Sequence, residues 1–279
     1  MQWLMRLLAV ASPACAVRLE AGVRVLPHPA KAKTGGEDAY FISGRAFGVF
    51  DGVGGWASQG VDAGIFSRSL ATHAKAAYEA RRGASLSTLL QAALSEVTAV
   101  GSCTACLVRI SEDGVCEALN LGDSGFRIFR GAADADPAAA PELVLGSRAQ
   151  QHRFNMPVQL GSGSRDGVGD GETYCAALRK GDVVVMATDG VFDNLFDDEI
   201  AKVLAEHVDS CDATELAGRI AERARETSLS STCRTPFAVA AEAQKLEMPG
   251  GKLDDVTVLC VKVLGPAEGE ATPPPRSKL

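Results

Sequence analysis

Strand-like runs that follow one another closely, joined by turns too short to hold a helix, constrain this chain most. Such runs cover 39–42, 46–50, 104–110, 116–121 and 126–129, and later 173–178, 183–188 and 256–263. Several are rich in β-branched and aromatic residues and are bounded by Gly and Asp. "SEDG" at 111–114 and "GDSG" at 122–125 connect three of them. Connections this short favour antiparallel pairing, because a parallel crossover needs a dozen or more residues. Apolar residues also recur at helical spacing: Ile65, Leu70, Ala74 and Tyr78 within 61–81, and Leu216, Ile220 and Ala224 within 213–225. Segments 86–97 and 199–208 behave alike. Clustered strands with helices set between them predict an α+β layered fold in a single domain.

Composition narrows the function classes. With 46% hydrophobic residues among 279, the chain can bury a large core. The net charge is -7 and no Lys/Arg cluster stands out, which argues against a nucleic-acid partner. No apolar run is long enough to span a membrane. The eight cysteines are scattered and mostly sit in apolar runs, as buried free thiols do, so a reducing compartment is expected. Cys103 and Cys106 form a C-x-x-C, but on a strand they would point to opposite faces, which disfavours a zinc or redox role. Residues 1–22 carry two Arg before Glu20 and an apolar segment. They read as a targeting segment, secretory or organellar, or as an unstructured terminus. The polar connector 161–171 should lie on the surface, beside a site or not. The tail 265–279 lacks core-forming residues and is expected to be disordered.

Carboxylates gather where strands end. The apolar run "AFGVF" stops at Asp51-Gly52, and "VVVMAT" stops at Asp189-Gly190. Glu37-Asp38, Asp123, Asp193 and Asp254-Asp255 stand in similar Gly-rich or strand-end positions. One Asp-Gly turn is an ordinary hydrogen-bonding device. Several, each flush against a core strand, would repel one another if they converged, unless cations neutralised them. Oxygen-only ligands suit hard ions, Mg²⁺ or Mn²⁺. The four histidines, at 28, 73, 152 and 207, are dispersed and argue for no softer metal.

"GEDAYF", "VFDGVGGW", "LGDSGF", "ATDGVFDN" and "KLDDVTV", in this order, resemble the metal-dependent 2C-type protein Ser/Thr phosphatases. The resemblance runs from about residue 26 to 263, so 23–264 is expected to be one catalytic domain. "LPHPAKAKTGGEDAYF" and "HRFNMPVQLG" are closer to a branch with mitochondrial members and plant relatives. An organellar address is implied by that likeness, a cytosolic one otherwise. The resemblance implies a four-layer α-β-β-α sandwich of two antiparallel sheets with helices outside. It implies a phosphoprotein substrate, a monomer, and two Mg²⁺ or Mn²⁺ ions with a third in some members. Asp51 matches the carboxylate bridging the ions, the carbonyl of Gly52 a ligand of one, and Asp189 and Asp254 ligands of the other. Glu37 and Asp38 match positions that organise water near the ions, and Asp123 and Asp193 match carboxylates of a third ion. Asp255 falls where the family commonly has Asn and is not expected to be a ligand. A water held between two cations would then attack the phosphorus in line.

Two departures stand out. Where the family commonly has a phosphate-binding Arg, this chain has Lys33, with Lys31 close by; a lysine serves as a point charge, without the bidentate fork. Where many members have a His that protonates the leaving oxygen, this chain has Val53. A pseudophosphatase that keeps the fold without turnover is the alternative, and the complete carboxylate set argues against it. A haloacid-dehalogenase-type phosphatase needs a D-x-D-x-T/V pattern after a strand, which is not found in a suitable place.

Overall fold

A computed structural model describes residues 16–131 and 140–265. Ten strands form two five-stranded sheets, antiparallel throughout. In chain order they are β1 Arg18–Leu26, β2 Ala39–Ser43, β3 Ala46–Phe50, β4 Ala105–Ile110, β5 Val115–Leu121, β6 Gly125–Arg130, β7 Glu142–Gly146, β8 Glu172–Ala177, β9 Val183–Ala187 and β10 Val256–Gly265. One sheet has the order β1-β10-β9-β6-β7 and the other β8-β5-β4-β3-β2. Six helices accompany them: α1 Ala63–Ala80, α2 Leu86–Glu96, α3 Asp189–Phe192, α4 Asp197–His207, α5 Ala213–Ser228 and α6 Pro236–Ala243.

The core divides into three apolar layers, as a four-layer sandwich requires. Phe47, Val49, Val108, Phe126, Val184 and Met186 fill the layer between the sheets. Phe41 and Phe50 meet Phe66 and Leu70 of α1 on one outer face. Val183, Val185 and Ala187 meet Leu216 and Ile220 of α5 on the other. In β9 successive residues therefore alternate between two buried layers, which explains why "VVVMA" is apolar at every position. Phe47, Phe50, Phe126 and Phe129 are fully enclosed, and burying such a side chain is worth ~1.5–3 kcal/mol.

Helix α1 begins where Asp62 accepts a hydrogen bond from the Gly64 N–H at 2.8 Å, a side-chain cap for an otherwise orphaned donor. Its buried stripe is Phe66, Leu70, Ala74 and Tyr78. Ile65, assigned to that stripe by its spacing, is 56% exposed. Phe66 lies four residues before Leu70 and takes the core position instead.

Other expectations need correction. β1 starts at Arg18, inside the segment 1–22 expected to be a targeting or unstructured stretch, and pairs along its length with β10. The remainder of that segment to residue 15, and the tail from 266, lie outside the described residues. "SEDG" is a hairpin turn between β4 and β5, with Gly114 at φ +84°. "GDSG" is no hairpin: it carries the chain from β5 in one sheet to β6 in the other. Strands β1 and β7 and helices α3 and α6 have no counterpart among the elements expected from the sequence. Cys103 packs toward the helices and Cys106 between the sheets, both as free thiols, as the strand reading of C-x-x-C required. No described helix is long and apolar enough to cross a membrane.

Candidate functional site

Antiparallel register brings the acidic motifs together. In one sheet Ala187 pairs with both Gly125 and Val258, so Asp189, Asp123 and Asp254 all emerge at the same end. In the other, Phe50 pairs with Ala39 and Ala105 with Leu121, so Asp51, Asp38 and Asp123 emerge together. Asp123 belongs to both sets because it sits on the crossing between the sheets. A turn at 122–125 would have left it on one sheet's edge; the crossing puts it in the gap.

The glycine after each aspartate has a steric reason. A side chain at Gly190 would meet the backbone carbonyl oxygen of Asp255 at 1.9 Å, and one at Gly52 would meet that of Glu37 at 2.6 Å. No other residue lets the chain turn this close to its neighbour.

Asp51, Asp123 and Asp189 each offer a carboxylate oxygen, all within 4.8 Å of one another. They line a cleft of about 280 Å³ together with Asp254, Lys31 and Lys252. Gly52, Val53, Asn155 and Pro157 contribute further wall. Gln151 holds Asp123 through Nε2 at 2.9 Å, and Thr104 Oγ1 accepts the Asp51 N–H at 3.2 Å. Behind the cleft, Asp38 is buried and accepts from Thr188 Oγ1 at 2.8 Å.

The electrostatics are those of crowded acids. Burial, followed by the charge of Asp189, pushes Asp51 well above the usual carboxylate range. The same causes raise Asp123 to about 7. Burial and then Asp255 raise Asp38. Asp254 is raised by burial and Asp189, and Asp193 to about 6 by burial, against the relief Lys252 provides. Burial would raise Asp189 too, but the Lys252 ammonium against its Oδ2 holds it below the ordinary value. Lys252 also reaches Asp193 at 2.8 Å and Asp254 at 3.4 Å.

Asp51, Gly52, Asp189, Asp254 and Asp123 therefore all meet at the cleft, and Asp193 joins through Lys252. Glu37 and Asp38 stand buried directly behind it. Lys33 does not meet the expectation set for it: it is exposed and outside the cleft, while Lys31 stands in the wall, paired with Glu37 and Asp255. None of residues 161–171 lines the cleft; Asn155 and Pro157, shortly before them, contribute to its wall. Sequence reasoning missed Lys252. Its only signal was a cation two residues before Asp254 in "KLDD".

This donor set suits divalent ions. It is all oxygen, it is concentrated enough to suppress its own ionisation, and the buried Oδ1 atoms of Asp38 and Asp189 have no hydrogen-bond partner. Buried polar atoms are rarely left so without a ligand to satisfy them.

Comparison with known proteins gives the same direction. The family model described as stage II sporulation protein E (SpoIIE) matches residues 44–264. The chain is 42% identical over 250 residues to the probable protein phosphatase 2C 80 of Arabidopsis thaliana, covering 87% of this chain and 58% of that protein. It is 35% identical over 265 residues to the probable protein phosphatase 2C 26 of the same plant, covering 88% and 84%. The chain spans about half the length of the first curated relatives it matches, from 42% to 58%. Among solved structures, that of the photosystem II phosphatase PBCP superposes with a TM-score of 0.79 at 31% identity, over 88% of this chain and 99% of that one. Likeness at this identity over most of both partners, spanning every motif whose carboxylate reaches the cleft, makes the chain a member of the protein phosphatase 2C family.

Proposed function

We propose that this chain is a metal-dependent protein serine/threonine phosphatase, a hydrolase that releases phosphate from phosphoserine and phosphothreonine in a phosphoprotein. The observation that carries the reading is the meeting of Asp51, Asp123 and Asp189 within 4.8 Å at the end of both sheets. Two ions, Mg²⁺ or Mn²⁺, would be held by Asp51, the carbonyl of Gly52, Asp189 and Asp254. Bound there, they supply a water whose pKa falls from ~16 towards ~7 and positive charge for the phosphoryl oxygens. The chain itself does the positioning. Asp51 ends a fully buried strand, so its carboxylate is fixed by the core behind it. Gly54 and Gly55 leave the cleft mouth without side chains, which lets a phosphorylated side chain approach the backbone. Lys31, half-buried and tied to Glu37 and Asp255, offers a point charge to phosphate oxygens from the wall.

The test is phosphate release from a phosphoserine and a phosphothreonine peptide after EDTA treatment, with and without added Mn²⁺. Release that returns only with the metal is expected. A chain that stays inactive with Mn²⁺ on both peptides refutes the reading.

A further inference from the structure

Lys252 is the one lysine that enters the carboxylate pocket from the same loop as Asp254, and its surroundings are unusual for a lysine. Only 15% of its side chain is exposed. Its ammonium contacts Asp189, Asp193 and Asp254, and the centroid of the Phe237 ring lies 5.7 Å from it. The loop that delivers it is clamped: Asn194 Nδ2 donates to the Lys252 carbonyl and Asn194 Oδ1 accepts its N–H, both at 2.9 Å. Two backbone hydrogen bonds to one buried amide fix where this side chain starts. A long lysine loses much rotamer freedom when held still, so its position requires a strong partner, and three carboxylates provide one.

Asp189 divides its two oxygens. Oδ2 accepts from Lys252, while Oδ1 is buried without any partner. One carboxylate can thus serve the ammonium on one side and a divalent ion on the other, so the lysine need not leave for ions to bind. Charge bookkeeping agrees. With Lys31 matched by its own partners Glu37 and Asp255, Asp51, Asp123, Asp189, Asp193 and Asp254 carry five negative charges when ionised, and two divalent ions with the Lys252 ammonium carry five positive ones. A further divalent ion beside Lys252 would leave an excess of positive charge and would stand in contact with the ammonium, where like charges in a partly dry site repel strongly.

We propose that Lys252 is a built-in cation of this pocket: it fills the place between Asp189, Asp193 and Asp254, so the chain takes two divalent ions and excludes a third. The inference rests on the two-ion reading above and adds that the number of ions is set by this side chain. Lys252→Met keeps an unbranched apolar stem, one atom shorter, and removes the charge, which leaves Asp189 Oδ2, Asp193 and Asp254 free to ligate. Lys252→Arg keeps the charge.

The experiment is equilibrium dialysis of the full chain against Mn²⁺ at saturating concentration, with bound metal counted by elemental analysis. Two ions per chain are expected for the wild type and for Lys252→Arg, and three for Lys252→Met. Three ions in the wild type, or two in Lys252→Met, would overturn the proposal. Fewer than two in the wild type would strike at the two-ion reading itself, a different failure. Should Lys252→Met not fold, Lys252→Gln takes its place, and the wild-type count alone still decides against the proposal if it reaches three.

Discussion

Asp255 Oδ2 accepts a hydrogen bond from the Lys31 ammonium at 3.1 Å, and this contact ties the lysine in the cleft wall to the last strand of the sandwich. The same carboxylate accepts the backbone N–H groups of His28 at 2.6 Å and Glu37 at 3.0 Å. Gly36 belongs to this knot: it lies at φ +84°, and a side chain there would meet Asp255 Oδ1 at 2.5 Å. Asp254 and Asp255 are therefore neighbours with different work, one lining the cleft and the other fastening loop 28–37.

Asp255→Ala is expected to cost roughly 2–4 kcal/mol of stability, since it strands two backbone donors and leaves Lys31 with Glu37 alone. Its effect on Mn²⁺ affinity should be small. Asp254→Ala should behave inversely, weakening Mn²⁺ binding by about tenfold or more with little loss of stability. Denaturant unfolding and metal titration on both variants separate the two roles, and matching losses in both assays would mean that they are not distinct.

Asp51→Asn should reduce Mn²⁺-dependent turnover by about a thousandfold or more, because one of the three converging carboxylates is lost to a neutral amide. The fold should persist. Burial and Asp189 already disfavour the charged form of Asp51, so neutralising it relieves repulsion in the metal-free chain. Circular dichroism together with phosphopeptide kinetics checks both halves, and substantial activity with an intact fold would remove Asp51 from the centre of the site.

Lys31→Ala should raise KM on a phosphopeptide about tenfold, the equivalent of ~1.4 kcal/mol for one charge-assisted contact. Lys33→Ala should leave KM and kcat unchanged, since Lys33 is exposed away from the cleft. Steady-state kinetics on the pair decides which lysine meets phosphate.

The antiparallel strands and the strand-end carboxylates were legible because each is a local signal, whereas the division into two sheets came only from the family resemblance. Apolar runs such as "VVVMA" declare buried strands, and Asp-Gly at their ends declares a constrained turn. Long-range placement was not legible. "GDSG" has the composition of a hairpin turn, and only the pairing of β6 with β9 shows that it crosses between sheets. Lys31 and Lys33 differ in sequence only by position in a loop, and what separates them is Asp255, more than two hundred residues away. β1 hid because its pattern is diluted by Arg18, Glu20 and Arg24 on an edge strand, where one side of the backbone and part of each face meet solvent.

Metal-free protein should lose stability as pH rises from about 5 to 8. Burial and the neighbouring Asp189 raise Asp123 to about 7 in the folded chain, and burial raises Asp193 to about 6, against ~3.9 when unfolded. Between those limits the folded state binds more protons than the unfolded one, so stability falls with rising pH. Asp189 acts the other way: its lowered pKa contributes stability above ~4 that is lost in acid. The raised groups outnumber it. In EDTA the Tm should therefore be higher at pH 5 than at pH 8, by an amount on the order of a few kcal/mol in stability, and Mn²⁺ should reverse the order. A Tm that climbs across this range without metal would contradict the crowding of acids described above.

Val53 lines the cleft next to Asp51 and Gly52 and carries no ionisable proton. In the proposed reaction the serine or threonine alkoxide must then be protonated by solvent or by another group, whereas an aryl phosphate leaves with less need of a proton. General acid catalysis is typically worth ~10²–10⁴-fold, so the rate should depend steeply on leaving-group pKa. Val53→His should flatten that dependence. Space is available, because Val53 is only partly buried and opens the short helical turn Gly54–Gln59 at the cleft mouth. The measurement is kcat/KM for a series of phosphate monoesters of graded leaving-group pKa, at saturating Mn²⁺, on wild type and variant. A shallow slope in the wild type would show that a proton donor is already in place and that the valine does not limit the reaction.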